Sequence, residues 1–135
     1  MVIVDTSAWV EYLRKTESPT HLALRAEVQA GRPVATPAAA VMELLAGCRT
    51  EPGVLTLMQL LSRFEVLVPD SVADFQHAAL LYRTCRGAGY TIRSIVDCLV
   101  AAAAIRTQRP LLARNRDFEV IARHTGLELV VPRSC

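Results

Sequence analysis

The chain has 135 residues, of which 52% are hydrophobic, and its formal net charge is +2. This length predicts one domain spanning residues 1–135, and a domain near 150 residues buries roughly 68–70% of its unfolded surface. The composition excludes a disordered chain, because disordered chains are polar and highly charged. We expect neither a secretory signal nor a membrane span, because no basic start or long apolar run is present, and we predict a cytoplasmic protein.

The basic residues are almost all arginine, since Lys15 is the only lysine. Guanidinium groups bind phosphate through paired hydrogen bonds, which suits a polyanionic partner, although a codon bias toward arginine would give the same composition. The four cysteines form no CxxC pair, so we predict reduced thiols rather than a zinc site. They are Cys48, Cys85, Cys98 and Cys135.

Hydrophobic periodicity predicts strands that alternate with helices. The predicted strands span 1–4, 33–36, 65–68, 111–113 and 127–131; the predicted helices span 6–14, 19–30, 38–46, 52–63, 70–86, 94–107 and 115–125. Phe75, Ala78, Ala79 and Tyr82 are predicted to form the buried face of the helix over 70–86. This alternation indicates an α/β fold with a mainly parallel sheet covered on both faces, and such sheets place sites beyond the carboxyl ends of their strands.

Three carboxylates occur in segments that are otherwise apolar. Asp5 directly follows the first strand, while Glu43 and Asp97 each stand alone in an apolar helical stretch. Small neighbours along the helix predict that the face carrying Glu43 is packed. An isolated buried carboxylate is costly or takes up a proton. Three such acids in separate segments therefore favour a shared metal ion.

Each acid also has a local explanation. Asp5 can cap the helix it precedes, Ser94 and Asp97 have the spacing of a capping box, and Asp117 lies in a first helical turn, where a negative charge suits the helix dipole. Glu43 is in mid-helix, so its alternative is a buried ion pair with an arginine. To account for the whole set of acids without a metal, all four local explanations must hold at once, which is a stronger requirement than any one of them alone.

Four motifs in this order resemble the PIN-domain ribonucleases, and more closely the VapC toxins of bacterial toxin–antitoxin pairs. The motifs are Met1-Val-Ile-Val-Asp5-Thr-Ser, Glu43 after a proline-led helix start, Ser94-Ile-Val-Asp97 with its alanine tail, and Arg114-Asn-Arg-Asp117-Phe118. The resemblance covers almost the whole chain. It implies a three-layer α/β/α domain with a mainly parallel sheet of four to five strands.

The resemblance also implies an endoribonuclease that needs Mg²⁺ or Mn²⁺ and cleaves structured RNA such as tRNA. The family's catalytic and metal-binding acids correspond to Asp5, Glu43, Asp97 and Asp117. Thr6 and Ser7 would support these acids by hydrogen bonding. The implied partners are a small antitoxin and a second copy of the chain, in a homodimer.

One position departs from the family pattern. Many relatives carry Thr-x-Asp ahead of the last acid, where this chain has Ala113-Arg-Asn115. Asn115 keeps an oxygen but loses a charge. The sequence therefore leaves open whether Asn115 or Asp117 completes the metal shell, and whether the site holds one ion or two.

Three arginines flank two of the acids, namely Arg93, Arg114 and Arg116. We predict that they bind backbone phosphates of RNA, because arginine is a common partner of phosphate oxygens in nucleic-acid complexes. Their alternative is an ordinary solvated surface.

Two other functions remain open. Another magnesium-dependent phosphoryl-transfer enzyme could also begin with a strand-ending Asp5, but position 7 is Ser7 rather than a second aspartate, and no phosphate-binding glycine loop occurs. A non-catalytic module that binds RNA or protein on the same fold would release no RNA fragments. The histidines do not favour a metal-free nuclease, because His21, His77 and His124 are predicted on polar helix faces or helix ends.

Overall fold

The computed structural model describes residues 1–132, which fold as four strands and seven helices. The strands are β1 (Val2–Val4), β2 (Val34–Pro37), β3 (Glu65–Leu67) and β4 (Leu111–Leu112). The helices are α1 (Thr6–Leu13), α2 (Pro19–Gln29), α3 (Ala38–Ala46), α4 (Glu51–Leu61), α5 (Ser71–Gly87), α6 (Ile95–Thr107) and α7 (Arg116–His124). The elements predicted up to residue 125 are all present, with bounds that differ by one or two residues.

The four strands form one parallel sheet in the order β3-β2-β1-β4. The first strand is therefore internal, with Ile3 paired to Ala35 of β2 on one side and to Leu111 of β4 on the other. The predicted strand over 127–131 is wrong, because this segment makes only one isolated bridge, between Leu111 and Leu129. Its neighbour β4 has just two residues, so there is little edge for another strand to pair with.

Helices cover both faces of the sheet. Ile3 packs with Phe118 and the alanines of α6 on one face, where α5, α6 and α7 lie. Val2 and Val4 point to the opposite face and pack with Trp9 and Leu24, together with residues of α3 and α4. Successive side chains of a strand point to opposite faces, so a strand that is apolar throughout is expected between two helical layers. The predicted α/β/α layering is confirmed.

The buried face of α5 differs from the predicted one. Phe75 is 54% exposed and Ala79 is also exposed, whereas Asp74, Ala78 and Leu81 are buried with Cys85. A buried aspartate pairs with an arginine of the neighbouring helix, and this contact sets the rotation of α5. The aromatic side chain is left on the surface.

The thiols of Cys48, Cys85 and Cys98 are free, and Cys135 lies outside the described residues. None of the described helices combines the length and the apolar character needed to cross a lipid bilayer.

Candidate active site

Four acidic side chains from separate parts of the chain lie in one cluster. Asp5 follows β1, Glu43 lies in α3, Asp97 lies in the first turn of α6, and Asp117 lies in the first turn of α7. The negative charges of Asp5, Glu43 and Asp117 each raise the pKa of Asp97, so each of these three carboxylates lies near Asp97. We call this group the acid cluster. It lies at the carboxyl end of the sheet, where the topology predicts a site.

Asp5 is almost fully buried and is also the N-cap of α1. Its Oδ2 atom accepts hydrogen bonds from the backbone N–H of Ser7 at 3.0 Å and from the Ser7 hydroxyl at 2.7 Å. Burial raises the pKa of Asp5 above its ordinary value in spite of these bonds, and the charge of Glu43 adds to the effect. Asp5 therefore both caps α1 and belongs to the acid cluster.

Asp97 is the acid with the strongest perturbation. Burial, followed by the charge of Asp5, raises the pKa of Asp97 to about 6. Its side chain accepts a hydrogen bond from the Asn115 amide nitrogen at 3.0 Å. The alternative of a capping box is wrong, because Ser94 makes no side-chain capping bond. Asp97 thus lacks the local partner that would have explained it without a ligand.

Glu43 is exposed, which corrects the prediction that its face is packed. Its neighbours along the helix include Ala39, Ala46 and Gly47, and residues this small do not cover a long side chain. The Thr6 hydroxyl donates a hydrogen bond to Glu43 Oε1 at 2.8 Å and holds the carboxylate beside Asp5. The cost of burial therefore applies to the buried aspartates and not to Glu43.

Asp117 and Asn115 are joined to Arg93, a connection that the sequence did not indicate. The backbone N–H and the Nε atom of Arg93 donate to Asp117 Oδ2 at 3.0 and 3.1 Å. Asn115 is the N-cap of α7, and its Oδ1 atom accepts from the Asp117 N–H at 3.0 Å and from Arg93 Nη2 at 3.4 Å. Two donors fix the amide orientation, so Asn115 presents its NH₂ group to Asp97.

The three predicted phosphate-binding arginines have different surroundings. Arg93 is paired with Asp117, as described, and the Arg114 guanidinium forms an ion pair with Glu11. The Arg114 backbone N–H also donates to the Ser7 hydroxyl at 2.9 Å, so the loop before α7 is tied to the loop that holds Asp5. Arg116 is exposed and forms no ion pair with residues 1–132.

His21 lies in the first turn of α2, at a helix end, and it is buried. Its Nδ1 atom accepts the Glu17 N–H at 3.0 Å, and its ring contacts Tyr12 edge-on. This hydrogen-bonded histidine lies in α2, a helix that contributes no residue to the acid cluster.

The donor set of the acid cluster fits a hard divalent cation. Asp5, Glu43 and Asp97 offer only carboxylate oxygens, which Mg²⁺ and Mn²⁺ prefer. Within residues 1–132, no three acidic, histidine or cysteine side chains already converge as a metal-binding group. Carboxylates that repel one another are expected to point apart until a cation neutralises them.

Comparison with known proteins identifies the family. The PIN domain model matches residues 2–124. The chain is 43% identical over 131 residues to VapC ribonuclease Mb1587 from Mycobacterium bovis, covering 95% of this chain and 96% of that protein. Its fold is similar to that of VapBC2 from Rickettsia felis bound to a promoter DNA fragment, with a TM-score of 0.75 and 21% identity over 96% of this chain and 98% of that chain. It is also similar to that of VapC20 from Mycobacterium tuberculosis, a toxin described as cleaving the sarcin–ricin loop, with a TM-score of 0.63 and 21% identity over 95% of this chain and 99% of that chain. The chain belongs to the PIN-domain family and, within it, to the VapC-type ribonucleases.

Proposed function

We propose that this chain is an endoribonuclease that requires Mg²⁺ or Mn²⁺ and acts as the toxin of a type II toxin–antitoxin pair. Structured RNA such as tRNA is the proposed substrate. The observation that carries the proposal is the acid cluster: burial, together with the charges of three other carboxylates from distant segments, raises the pKa of Asp97 to about 6, and each of the aspartates in the cluster is buried. A fold maintains such repulsion where a cation offsets it.

The proposed metal ligands are Asp5, Glu43 and Asp97, and Asp117 either completes the shell or orients the attacking water. A bound divalent ion lowers the pKa of a water molecule and polarises the phosphodiester. The chain's own residues prepare this arrangement. Ser7 holds Asp5, Thr6 holds Glu43, and Asn115 orients Asp97 through its NH₂ group.

The proposed phosphate contacts are unequal among the three flanking arginines. Arg116 has its charge free of any partner within residues 1–132, whereas Arg93 and Arg114 already share theirs with Asp117 and Glu11. We assign the main phosphate contact beside the acid cluster to Arg116, and a positioning role to the other two.

The proposed partners are a small antitoxin and a second copy of this chain. Several exposed apolar side chains on α3, on α5 and the loop before it, and at the start of α6 are available to protein partners. They are Met42, Val68, Val72, Phe75 and Ile95, each at least half exposed. Exposed apolar surface is a usual feature of subunit interfaces. The proposed compartment is the cytoplasm, where RNA and antitoxin are both present.

The test is to incubate the purified chain with total RNA in Mg²⁺, in Mn²⁺ and in chelator, and to sequence the new RNA ends. The proposal expects discrete cuts with either metal and none with chelator. Fragment ends in tRNA would identify the substrate, and ends in the sarcin–ricin loop would assign ribosomal RNA instead. RNA binding without cutting would favour a non-catalytic module, and turnover of another phosphoryl substrate without RNA cleavage would favour a different phosphoryl-transfer enzyme.

A further inference from the structure

We propose that the RNA strand running from the acid cluster binds along an arginine–aromatic surface beside α7. This surface is formed by Tyr90, Arg93, Arg123 and His124 along α7 and by Tyr82 and Arg86 in the last turns of α5, where the Tyr90 N–H donates to the Cys85 carbonyl at 2.9 Å. The inference rests on the proposed ribonuclease function and adds the path that the substrate takes.

The surface begins at the acid cluster and follows α7 to its far end. Arg93 binds Asp117 at the start of α7, and the ring of Tyr90 lies 5.6 Å from the ring of His124 at the end of this helix. The stretch of helix between Asp117 and His124 is about 10 Å long. The loop from Tyr90 to Arg93 thus runs alongside α7, and the surface extends about 10 Å from the reacting centre.

The charge of this region is positive. The sequence between Asp74 and Asp97 contains no carboxylate, but it contains the arginines Arg83, Arg86 and Arg93. Helix α7 has both of its acids in its first turn, and Arg123 and His124 in its last turn. Within residues 1–132 neither Arg86 nor Arg123 takes part in an ion pair, so both guanidinium charges are available to a polyanion.

Each of these arginines lies within cation–π distance of a tyrosine ring. The Arg86 guanidinium carbon lies 5.6 Å from the centre of the Tyr82 ring, and that of Arg123 lies 5.6 Å from the centre of the Tyr90 ring. A guanidinium stacked on an aromatic ring keeps its N–H groups free in the guanidinium plane, where they can donate to phosphate oxygens.

Tyr90 supplies the second feature of a site for single-stranded nucleic acid. Its side chain is 43% exposed and lies among cations, and unpaired bases stack on aromatic rings and guanidinium planes in such sites. Arginines at fixed positions for the backbone, together with an aromatic group for a base, favour an unpaired RNA segment over a duplex.

The experiment compares the double variant Arg86→Gln/Arg123→Gln with a matched control, Arg25→Gln/Arg49→Gln, in cleavage of total RNA with Mg²⁺ over a series of salt concentrations. We expect the first variant to raise KM on the order of tenfold with kcat unchanged, and to reduce the slope of log affinity against log salt by roughly 0.7 for each phosphate that is no longer neutralised. The control should match the wild type. Tyr90→Ala should raise KM on the order of tenfold, and Tyr90→Phe, which keeps the ring, should not.

The outcomes separate this inference from the proposed function. If the wild-type chain releases no RNA fragments, the proposed function fails. If the wild type cuts RNA and the Arg86/Arg123 and Tyr90 variants, folded as judged by thermal unfolding, keep its KM and salt dependence, the path proposed here is wrong. The same conclusion holds if those variants lose only the binding of an acidic protein partner.

Discussion

Asp74 and Asp97 are buried carboxylates on neighbouring helices, and their surroundings differ. Asp74 accepts hydrogen bonds from Arg106 Nε at 3.0 Å and from the Asp70 N–H at 2.8 Å. Asp97 has an amide for a partner and three carboxylates close enough to raise its pKa. Burial is therefore common to both, and the sign of the neighbouring charges separates them. We interpret the acid with a cationic neighbour as structural and the acid among other acids as functional.

The largest expected effect is on activity. Asp97→Asn should reduce RNA cleavage on the order of 10³-fold, because it removes a proposed metal ligand. Its thermal stability should equal or exceed that of the wild type, because a destabilising buried charge is lost. Fragment release and thermal unfolding of the same preparation measure both quantities. Cleavage at the wild-type rate would remove Asp97 from the active site.

Asp74→Asn should show the reverse pattern. It removes the charge that pairs with Arg106, and because the Arg106 side chain is 34% exposed, this change should lower the free energy of unfolding by about 2 kcal/mol, between the values for surface and buried pairs. Cleavage per folded molecule should not change. A matched control is Glu65→Gln, which breaks the exposed ion pair with Arg109 and should cost less than about 1 kcal/mol. Equal losses of stability in the two variants, measured by chemical denaturation, would contradict the structural assignment of Asp74.

The pH dependence of stability should report the buried charge of Asp97. Because the folded pKa of Asp97 is about 6 and its ordinary value is 3.8, the folded chain holds this proton more tightly than the unfolded chain does. The metal-free chain should therefore lose stability as pH rises from about 4 to about 6, by on the order of 1–3 kcal/mol relative to Asp97→Asn. Denaturation in chelator across this pH range measures the difference. Curves that run parallel for the two proteins would contradict it.

The effect of added Mg²⁺ on stability at pH 7 tests whether Asp97 binds the ion. It should raise the melting temperature of the wild type and leave that of Asp97→Asn unchanged, because only an ion that binds the folded state stabilises it.

The smallest expected effect concerns Asn115. Asn115→Asp replaces the NH₂ group that faces Asp97 with another negative charge, so Mn²⁺ should bind on the order of tenfold more tightly while the metal-free chain becomes less stable. Asn115→Ala removes the hydrogen bond without adding charge and should not tighten binding. Titration calorimetry of both variants measures the affinities. Equal Mn²⁺ affinities would show that position 115 does not face the metal.

The sequence predicted the layers and most of the elements because these depend on local patterns. Apolar runs between helices indicated a parallel sheet, and Asp5 after β1 indicated where its carboxyl edge lies. The prediction of a strand over 127–131 was wrong because strand pairing depends on the neighbouring strand, and β4 is only two residues long. The rotation of α5 about its own axis could not be predicted from local patterns either. Phe75 fits the apolar spacing of α5, but Asp74 is the residue that faces inward.

The acids were visible in the sequence, and their partners were not. Arg93 is 24 positions from Asp117, and Arg106 is 32 positions from Asp74, so no local spacing connects them. Asn115 could have been predicted as a helix cap, because asparagine favours that position, and this would have shown that its oxygen was already in use. The exposure of Glu43 followed from the same small neighbours that we interpreted as packing.

The internal position of β1 has a consequence for synthesis of the protein. The first strand needs β2 on one side and β4 on the other, and the acid cluster combines residue 5 with residue 117. The proposed nuclease centre therefore cannot assemble until the ribosome has added α7. We expect a product that terminates before α7 to leave the RNA of the cell that makes it uncut.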